Sequence, residues 1–165
     1  MADDDFDRFY AASYDRLLRQ LFVVTGGDLA EAEDVLQEAY ARALARWRSV
    51  GEYDAPEAWV RRVAINLAGM TARRLRSRAK ALLRLGEPGQ LPELSPDSVD
   101  LAAALRTVPL AQREALVLHH MAGLTVDEVA GQLGVPTGTI KTRLARGRAA
   151  LARQLGAQPT GEVLA

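Results

Sequence analysis

Residues 125–146, with the sequence TVDEVAGQLGVPTGTIKTRLAR, decide the fold of the second half of this chain. Thr125, followed three residues later by Glu128, has the form of a capping box, which predicts that a helix begins here. Gly134 predicts the end of that helix, because glycine adopts the positive φ of a helix C-terminus at low cost. A proline turn follows, and a second helix is predicted over residues 137–155. This succession is the helix-turn-helix plan.

The spacing inside this stretch supports close packing of the two predicted helices. Ala130 is small where the helices approach each other, and Ile140 supplies an apolar side chain from the second helix. Further along that helix, the inward positions are predicted to be Leu144, Leu151 and Leu155. A helical hairpin with a basic solvent face would explain the cations of this segment, but not the combined spacing of cap, small residue, glycine and apolar plug.

The second helix of this pair carries the side chains that a major-groove reader needs. A recognition helix requires polar groups in its N-terminal half and cations that reach base edges or phosphates. No acidic residue lies between Glu128 and Glu162, so nothing near this helix repels phosphate. The sequence therefore predicts binding of duplex DNA through Thr137, Thr139, Lys141, Thr142, Arg143 and Arg146.

A proline- and glycine-rich stretch separates this motif from the first half of the chain. Residues 85–97, LGEPGQLPELSPD, contain three prolines and two glycines without a helical period. On both sides Ala, Leu, Arg and Glu recur at three-and-four spacing, and no sustained alternation of period two occurs. We therefore expect an all-α protein of two small helical domains, with a first domain over residues 6–84, a linker over 85–96, a second domain over 97–155 and a disordered tail over 156–165.

Two amphipathic helices are predicted in the first half. One begins at Asp28, an N-cap candidate after a glycine pair, and has an acidic first part. Its apolar stripe is predicted to consist of Ala32, Val35, Leu36, Ala39, Tyr40, Ala43, Leu44 and Trp47. The other begins near Pro56, and its predicted buried stripe is Trp59, Val63, Leu67 and Met70. Trp59 could instead stack on an unpaired base, although its place on the apolar stripe favours the core.

A different face of this last helix is polar and cationic, with Arg62, Asn66 and Arg73. It belongs to an alternation of charge that the net charge of zero hides. Residues 1–57 carry 6 basic and 13 acidic side chains, and residues 58–86 carry 8 and 0. Residues 87–128 carry 2 and 7, and residues 129–165 carry 5 and 1. Two basic blocks predict two places that meet phosphate; the alternative is ordinary solvated helix faces.

The composition argues against several other classes of protein. The chain has no cysteine, and its two histidines, His119 and His120, are adjacent on a predicted helix and lack partner ligands, so we expect no metal site. No catalytic constellation or phosphate-cradling loop occurs, which predicts a binding protein without enzymatic activity or cofactor. No apolar run is long enough to span a membrane, and the first residues are acidic rather than basic, so we expect a cytoplasmic location.

Three blocks of the sequence together resemble a known family. AEDVLQE at residues 32–38, WVRRVAIN at 59–66 and GTIKTRL at 138–144 are similar to three segments of extracytoplasmic-function sigma factors of RNA polymerase, in their usual order. The resemblance spans nearly the whole chain. It implies a protein that binds core RNA polymerase, directs it to promoters and assists promoter opening.

The resemblance also implies roles for individual residues. The polymerase would be bound through Asp34, Val35, Gln37 and Glu38. The melted non-template strand of the minus-ten element would be held by Arg61, Arg62, Asn66, Arg73 and Arg74. The helix-turn-helix would read the minus-thirty-five element as duplex DNA, with Lys141, Thr142 and Arg146 nearest the bases and Thr139 and Arg143 in support.

Two other classes of protein remain open at this point. An effector domain of the response-regulator type would explain the helix-turn-helix but not the paired blocks of the first half. An interaction protein that docks on polymerase without opening promoters is kept open by Ile65, which stands where the family often has arginine. An anti-sigma protein is a further partner that the resemblance suggests, and no residue here speaks for it directly.

Overall fold

The first half of the chain forms four helices. In a computed structural model, which describes residues 2–78 and 95–156, they are α1 (Ala2–Val24), α2 (Leu29–Ala45), α3 (Trp47–Val50) and α4 (Pro56–Arg78). The predicted N-cap of α2 is confirmed, because the Asp28 carboxylate accepts a hydrogen bond from the Glu31 N–H at 3.0 Å. The predicted apolar stripe of α2 is interrupted, since the chain breaks into α3 at Trp47 and Leu44 is exposed.

The second half forms α5 (Pro96–Leu105), α6 (Leu110–Leu116), a π-helical turn (Val117–Met121), α7 (Val126–Leu133) and α8 (Thr137–Gln154). All described secondary structure is helical, as the sequence predicts. Most of the predicted linker and tail lies outside the described residues. Of the linker, Ser95 and Pro96 are described, and they form the N-cap and first turn of α5.

Packing of α1 against α2 and α4 makes the core of the first half. Leu17, Leu18 and Leu21 of α1 are buried together with Leu36 of α2 and Val60 of α4. Burial of each such side chain stabilises the fold by about 1.5–3 kcal/mol. Aromatic rings of α1, α2 and α3 extend this core, and the Ser13 and Tyr40 hydroxyls share a buried hydrogen bond of 2.7 Å between α1 and α2.

The buried face of α4 differs from the predicted one. Val60, Ala64, Ile65 and Ala68 lie in the core, whereas Trp59, Val63 and Leu67 are half-buried and Met70 is 46% exposed. The predicted buried stripe of α4 was therefore wrong, because the face that enters the core lies about one residue further around the helix axis. Small alanines at two of the core positions let α4 approach its neighbours closely, and the larger apolar residues then fall on the flank.

The helix-turn-helix matches its sequence prediction except at the end of its second helix. The capping box of Thr125 and Glu128 is present, and Gly134 ends α7 with φ of 64°. Ala130, Ile140 and Leu144 are buried as predicted. Leu155, predicted to face inward, is instead 64% exposed and lies just beyond the end of α8 at Gln154.

The two halves also pack against each other. α1 contacts α5, α6 and the π-helical turn, and α4 contacts α7. Polar bonds accompany these contacts: the Gln132 amide of α7 donates to the Ala58 carbonyl of α4 at 3.0 Å. The described structure therefore brings the two halves into direct contact.

Candidate polymerase and nucleic-acid interfaces

The acidic surface of α2 lies free of the core. Asp34, Gln37 and Glu38 are exposed, and the Glu38 carboxylate accepts a hydrogen bond from the Arg42 guanidinium one turn later at 2.8 Å. This pair is solvent-accessible on both sides and contributes little to stability. The exposed side chains of Asp34, Gln37 and Glu38 are therefore available to a protein partner, and we call these three residues the acidic face.

Val35 does not belong to this surface. It is 6% exposed and packs in the core between the helices of the first half. The direct contact with polymerase that the sequence suggested for its side chain is not available in this structure. Val35 instead fixes the orientation of α2, so that its polar neighbours point outward.

The cationic surface of α4 is formed by Arg62, Asn66, Arg73 and Arg74, all of which are exposed. At 100° per residue, Asn66 lies about 40° and Arg73 about 20° from Arg62 around the helix axis, so these three share one face. Phosphates of a nucleic-acid strand are the natural partner of such a row, and the amide of Asn66 can both donate to and accept from a base. We call this set the α4 face.

Arg61 has a different position from its neighbour Arg62. It is 7% exposed, and its guanidinium donates to the Gln20 amide oxygen at 2.9 Å and to a Glu57 carboxylate oxygen at 2.8 Å. Arg16 of α1 also pairs with Glu57. Arg61 therefore ties α4 to α1, and its predicted contact with DNA is not available while this network is intact.

A cleft that sequence reasoning did not find opens beside the N-terminal part of α4. Its volume is about 540 Å³, and its lining includes the aromatic residues Trp47, Tyr53 and Trp59 together with Arg46 and Arg48. Trp59 is only half-buried, so the core position favoured from sequence is incomplete. Aromatic faces next to cations can stack and neutralise an unpaired nucleotide. The signal was present in the sequence as Tyr53 in a loop, but only the fold brings the three rings together.

On α8, three of the predicted DNA-contacting residues are exposed: Lys141, Thr142 and Arg146. They lie within about the first three turns of α8, at positions other than the buried Ile140 and Leu144. No acidic residue occupies the first turn of the helix. The arrangement matches what a major-groove helix requires, namely accessible donors and cations near its N-terminus. We call these three residues the α8 face.

Of the other three predicted residues of α8, two have side-chain contacts or charges inside the protein. Thr137, Thr139 and Arg143 are half-buried. The Thr137 hydroxyl donates to the Asp127 carboxylate of α7 at 3.0 Å, which links the two helices of the motif. Arg143 lies near Glu114 of α6, where its charge acts on the carboxylate. Thr137 and Arg143 are therefore directed toward α7 and α6 more than toward solvent.

Glu114 lies at the centre of a cationic neighbourhood. Burial raises the pKa of its carboxyl to about 7, although the charges of Arg143, Arg113 and Arg73 oppose that rise. Arg73 belongs to α4 and Arg143 to α8, so both predicted DNA-binding helices place a cation near this one carboxyl.

Two general properties accompany these surfaces. Within residues 2–78 and 95–156, no helix is long and apolar enough to cross a bilayer. In the same described part of the chain, no group of three or more ligand-type side chains could hold a metal ion. His119 uses its Nδ1 locally, at 2.7 Å from the Leu124 carbonyl oxygen.

Comparison with known proteins identifies the family. Residues 9–80 match the model of sigma-70 region 2, and residues 98–151 match that of sigma-70 region 4. The ECF RNA polymerase sigma factor SigM of Mycobacterium tuberculosis is 33% identical over 160 residues, covering 94% of this chain and 80% of its own length. The RNA polymerase sigma-E factor of Streptomyces coelicolor is 30% identical over 156 residues, covering 93% and 88%.

Solved structures agree with the sequence matches. The sigma factor RpoE of Bartonella quintana, in complex with the anti-sigma factor NepR, superposes with a TM-score of 0.68 at 25% identity, covering 90% of this chain and 97% of that one. CnrH, in complex with the cytosolic domain of CnrY, shares the fold with a TM-score of 0.62 at 22% identity, covering 92% and 87%. The chain therefore belongs to the ECF family of RNA polymerase sigma factors.

Proposed function

We propose that this protein binds core RNA polymerase, directs it to specific promoters and assists their opening. The observation that carries this proposal is the presence, on one chain, of three separate surfaces with different chemistry: the acidic face, the α4 face and the α8 face. A DNA-binding regulator needs only the last of these.

The acidic face is the proposed docking surface for polymerase. Asp34, Gln37 and Glu38 are exposed and offer carboxylate and amide groups that suit a basic protein partner. Charge complementarity of this kind speeds association and selects the partner more than it adds affinity. Arg42, paired with Glu38, would be released or shared when the partner binds.

The α4 face and the neighbouring cleft are the proposed site for the melted non-template strand. Arginines can follow the phosphates while the cleft accepts an unpaired base against Trp59 or Tyr53. Stacking contributes about 1–3 kcal/mol per base and does not require pairing, so it favours the opened strand over the duplex. In this way binding energy supports promoter opening without covalent chemistry.

The α8 face is the proposed reader of the duplex minus-thirty-five element. Lys141 and Arg146 can donate to base edges or phosphates, and the α7–α8 turn sets the angle at which the helix enters the groove. Thr137 and Arg143 act through helix position rather than direct reading, because their side chains contact α7 and the surroundings of Glu114.

Two further proposals concern the cellular setting. An anti-sigma protein is a proposed partner, since the RpoE structure that this chain resembles is a complex with the anti-sigma factor NepR. We also propose that the protein acts in the cytoplasm as an initiation factor without enzymatic activity, in keeping with the three binding surfaces.

A transcription assay tests the proposal as a whole. Core polymerase reconstituted with this protein is used to transcribe a pool of genomic fragments, and the RNA 5′ ends are mapped. The proposal expects transcripts that begin at a shared promoter motif and are absent with core alone. Transcripts independent of the added protein, despite duplex binding by the protein alone, would instead favour a separate DNA-binding regulator.

A further inference from the structure

α8 is attached at two points along its length, one on each of two neighbouring helices. Near its N-terminus the Thr137 hydroxyl donates to the Asp127 carboxylate of α7 at 3.0 Å, and Ile140 is fully buried. Further along, Gly147 is buried against α6 and lies about 20° from Ile140 around the helix axis. The residues of the α8 face lie between these two points along the chain.

Gly147 lets α8 approach α6 closely. A Cβ at this position would lie 2.8 Å from the Leu116 Cδ1, 3.2 Å from the Leu116 Cγ and 3.4 Å from the Gln112 Cβ. Ordinary contacts between carbon atoms are about 3.5–4.0 Å long. The site therefore has no room for even a methyl group unless one of the two helices moves.

Leu116 is poorly placed to give way to such a methyl group. It is the last residue of α6 and is 5% exposed, and Val117 and Leu118 of the π-helical turn that follows are buried as well. Rotation of its terminal methyl groups would leave the Leu116 Cγ in place, at 3.2 Å. The end of α8 is freer, since Arg153 and Gln154 are exposed, so the displacement falls mainly on α8.

Another glycine inside a helix of the same motif has a different setting. A Cβ at Gly131 of α7 would meet nothing within 4 Å in the described chain beyond its own stretch of helix. Glycine is less favourable than alanine in a helix interior, so it stabilises a helical protein only where the missing side chain permits a close contact. Gly147 makes such a contact and Gly131 does not.

A displacement at Gly147 reaches one end of the α8 face more than the other. Seven residues separate Gly147 from Ile140, which is about 10 Å along the helix axis. An ordinary contact distance to Leu116 would require this part of α8 to move outward by at least about half an ångström. Arg146 would move with Gly147, whereas Lys141, next to the buried Ile140, would stay nearly in place. Side chains that recognise a partner must be held to within about 0.5 Å, so the contact of Arg146 is the one affected.

We propose that Gly147 is a positioning residue for duplex recognition: by letting α8 pack directly on Leu116, it sets where Arg146 meets the minus-thirty-five element. Gly147 is buried and acts through its neighbour rather than on DNA itself. The inference rests on the proposed function, which supplies the duplex and the reading role of the α8 face. It implies that the contribution of Arg146 to binding depends on residue 147, whereas that of Lys141 does not.

A double-mutant cycle tests the proposal. Holoenzyme reconstituted from core polymerase and the full chain is titrated with a duplex promoter fragment taken from the mapped transcripts. Arg146→Ala and Lys141→Ala are each made in the wild-type chain and in Gly147→Ala, and the losses of affinity are compared between the two backgrounds. Gly147→Ala alone should weaken binding by about three- to tenfold, part of the loss expected on removal of a base-contacting side chain.

The two second substitutions should then differ. Arg146→Ala should weaken binding by a smaller factor in Gly147→Ala than in the wild-type chain, whereas Lys141→Ala should weaken it by the same factor in both. General destabilisation of the motif would act on both contacts alike, so the unequal response identifies positioning. An Arg146→Ala factor that is equal in the two backgrounds would overturn the proposal.

Gly131→Ala is the matched control, because the same methyl group enters a helix of the same motif without a close neighbour. It should leave duplex binding unchanged and raise the urea concentration at the unfolding midpoint, since alanine favours the helix. Gly147→Ala should lower that midpoint. A Gly147→Ala variant that gains stability as Gly131→Ala does would show that α8 is not displaced, and would contradict the proposal.

Removal of the opposing side chain provides a rescue. Leu116→Ala removes the two atoms that a Cβ at Gly147 would meet first, so Gly147→Ala combined with Leu116→Ala should bind the duplex better than Gly147→Ala alone. A double variant with wild-type helical content that lacks this gain would contradict the role of Leu116, and the cycle with Arg146 decides the question even without it. A wild-type holoenzyme that does not bind the duplex would overturn the proposed function itself, and this inference with it.

Discussion

α4 and α8 are both cationic helices, but they distribute their polar side chains differently. On α4, four of the five residues predicted to hold DNA are exposed, and the fifth, Arg61, is fully committed to a buried network with Gln20 and Glu57. On α8, three of six predicted residues are exposed, and the other three contact the protein interior in part. The predicted contact residues of α4 therefore mostly face solvent, whereas those of α8 are divided between solvent and the protein interior.

A row of similar residues along a helix therefore does not by itself define an exposed surface. Arg61 and Arg62 are adjacent and chemically identical, yet one supports the fold and the other faces solvent. On α8, Thr137 and Thr142 are both hydroxyl residues, but the first bonds Asp127 of another helix and the second bonds the Gly138 carbonyl of its own helix. Partners elsewhere in the chain therefore decide which of these side chains remain exposed.

The largest change in stability is expected at Arg61, and its neighbour Arg62 should show almost none. Arg61→Ala should lower the free energy of unfolding by about 3 kcal/mol, the lower end for breaking a buried ion pair, because Glu57 keeps Arg16 as a partner. Arg62→Ala should change stability by less than about 0.5 kcal/mol, as expected of an exposed position. Urea unfolding of the two variants measures both values.

The same pair should behave in the opposite way toward DNA. Arg62→Ala should weaken binding of the melted non-template strand by the holoenzyme and reduce its salt dependence, because one phosphate contact is lost. A stable Arg61→Ala variant with weakened strand binding would contradict the assignment of Arg61 to the interior.

The next effect concerns Glu114 of α6, whose carboxyl lies near Arg73 of α4 and Arg143 of α8. Its pKa of about 7 exceeds the ordinary value of 4.5, so the folded form prefers the protonated carboxyl. This contribution to stability is fully present below about pH 4.5 and is lost as the pH rises through about 7. Glu114→Gln should raise stability at pH 8 by about 1–3 kcal/mol and flatten the pH dependence over that window.

Unfolding of wild type and Glu114→Gln at several pH values between 4.5 and 8.5 checks the result. Glu52→Gln, at an exposed loop position, is the control and should leave the pH dependence as in wild type. If Glu114→Gln retains the wild-type slope, burial of that carboxyl does not govern the pH response.

The last effect, of similar size, tests which residues of α8 contact bases. Lys141→Ala and Arg146→Ala should each weaken binding of a duplex minus-thirty-five element by about 1–3 kcal/mol and relax sequence preference. Arg153→Ala, exposed in the last turn of the same helix, is the matched control and should weaken binding only slightly. Equal losses at all three positions would mean that α8 contributes general charge rather than base reading.

Local sequence signals predicted the second half well. The capping box at Thr125, the positive φ at Gly134 and the buried side chain of Ile140 all depend on residues within a few positions of each other. α7 has its predicted bounds, and α8 ends one residue before its predicted end. Short-range rules of helix capping are sufficient for such features.

Features that depend on distant residues were not predictable in the same way. Arg61 is buried because Gln20 and Glu57 reach it from α1 and from the previous turn of α4. The face of α4 that enters the core is set by α1 and α2, which explains why Met70 lies outside despite its apolar side chain. The hydrogen bonds from Arg106 and Arg113 to the Gly26 and Val24 carbonyls join residues 80 or more positions apart, and no periodicity in the sequence indicates them.

Co-elution with core RNA polymerase in the absence of DNA is the decisive test of whether this protein docks on polymerase through the acidic face. Wild type should form a stoichiometric complex, and the variant with Asp34→Arg and Glu38→Arg should elute alone while keeping its helical content, because both side chains are exposed. Lys141→Ala, on the far helix, should co-elute like wild type. A wild-type protein that elutes alone, or a reversed-charge variant that still binds, would contradict the account of polymerase docking through the acidic face.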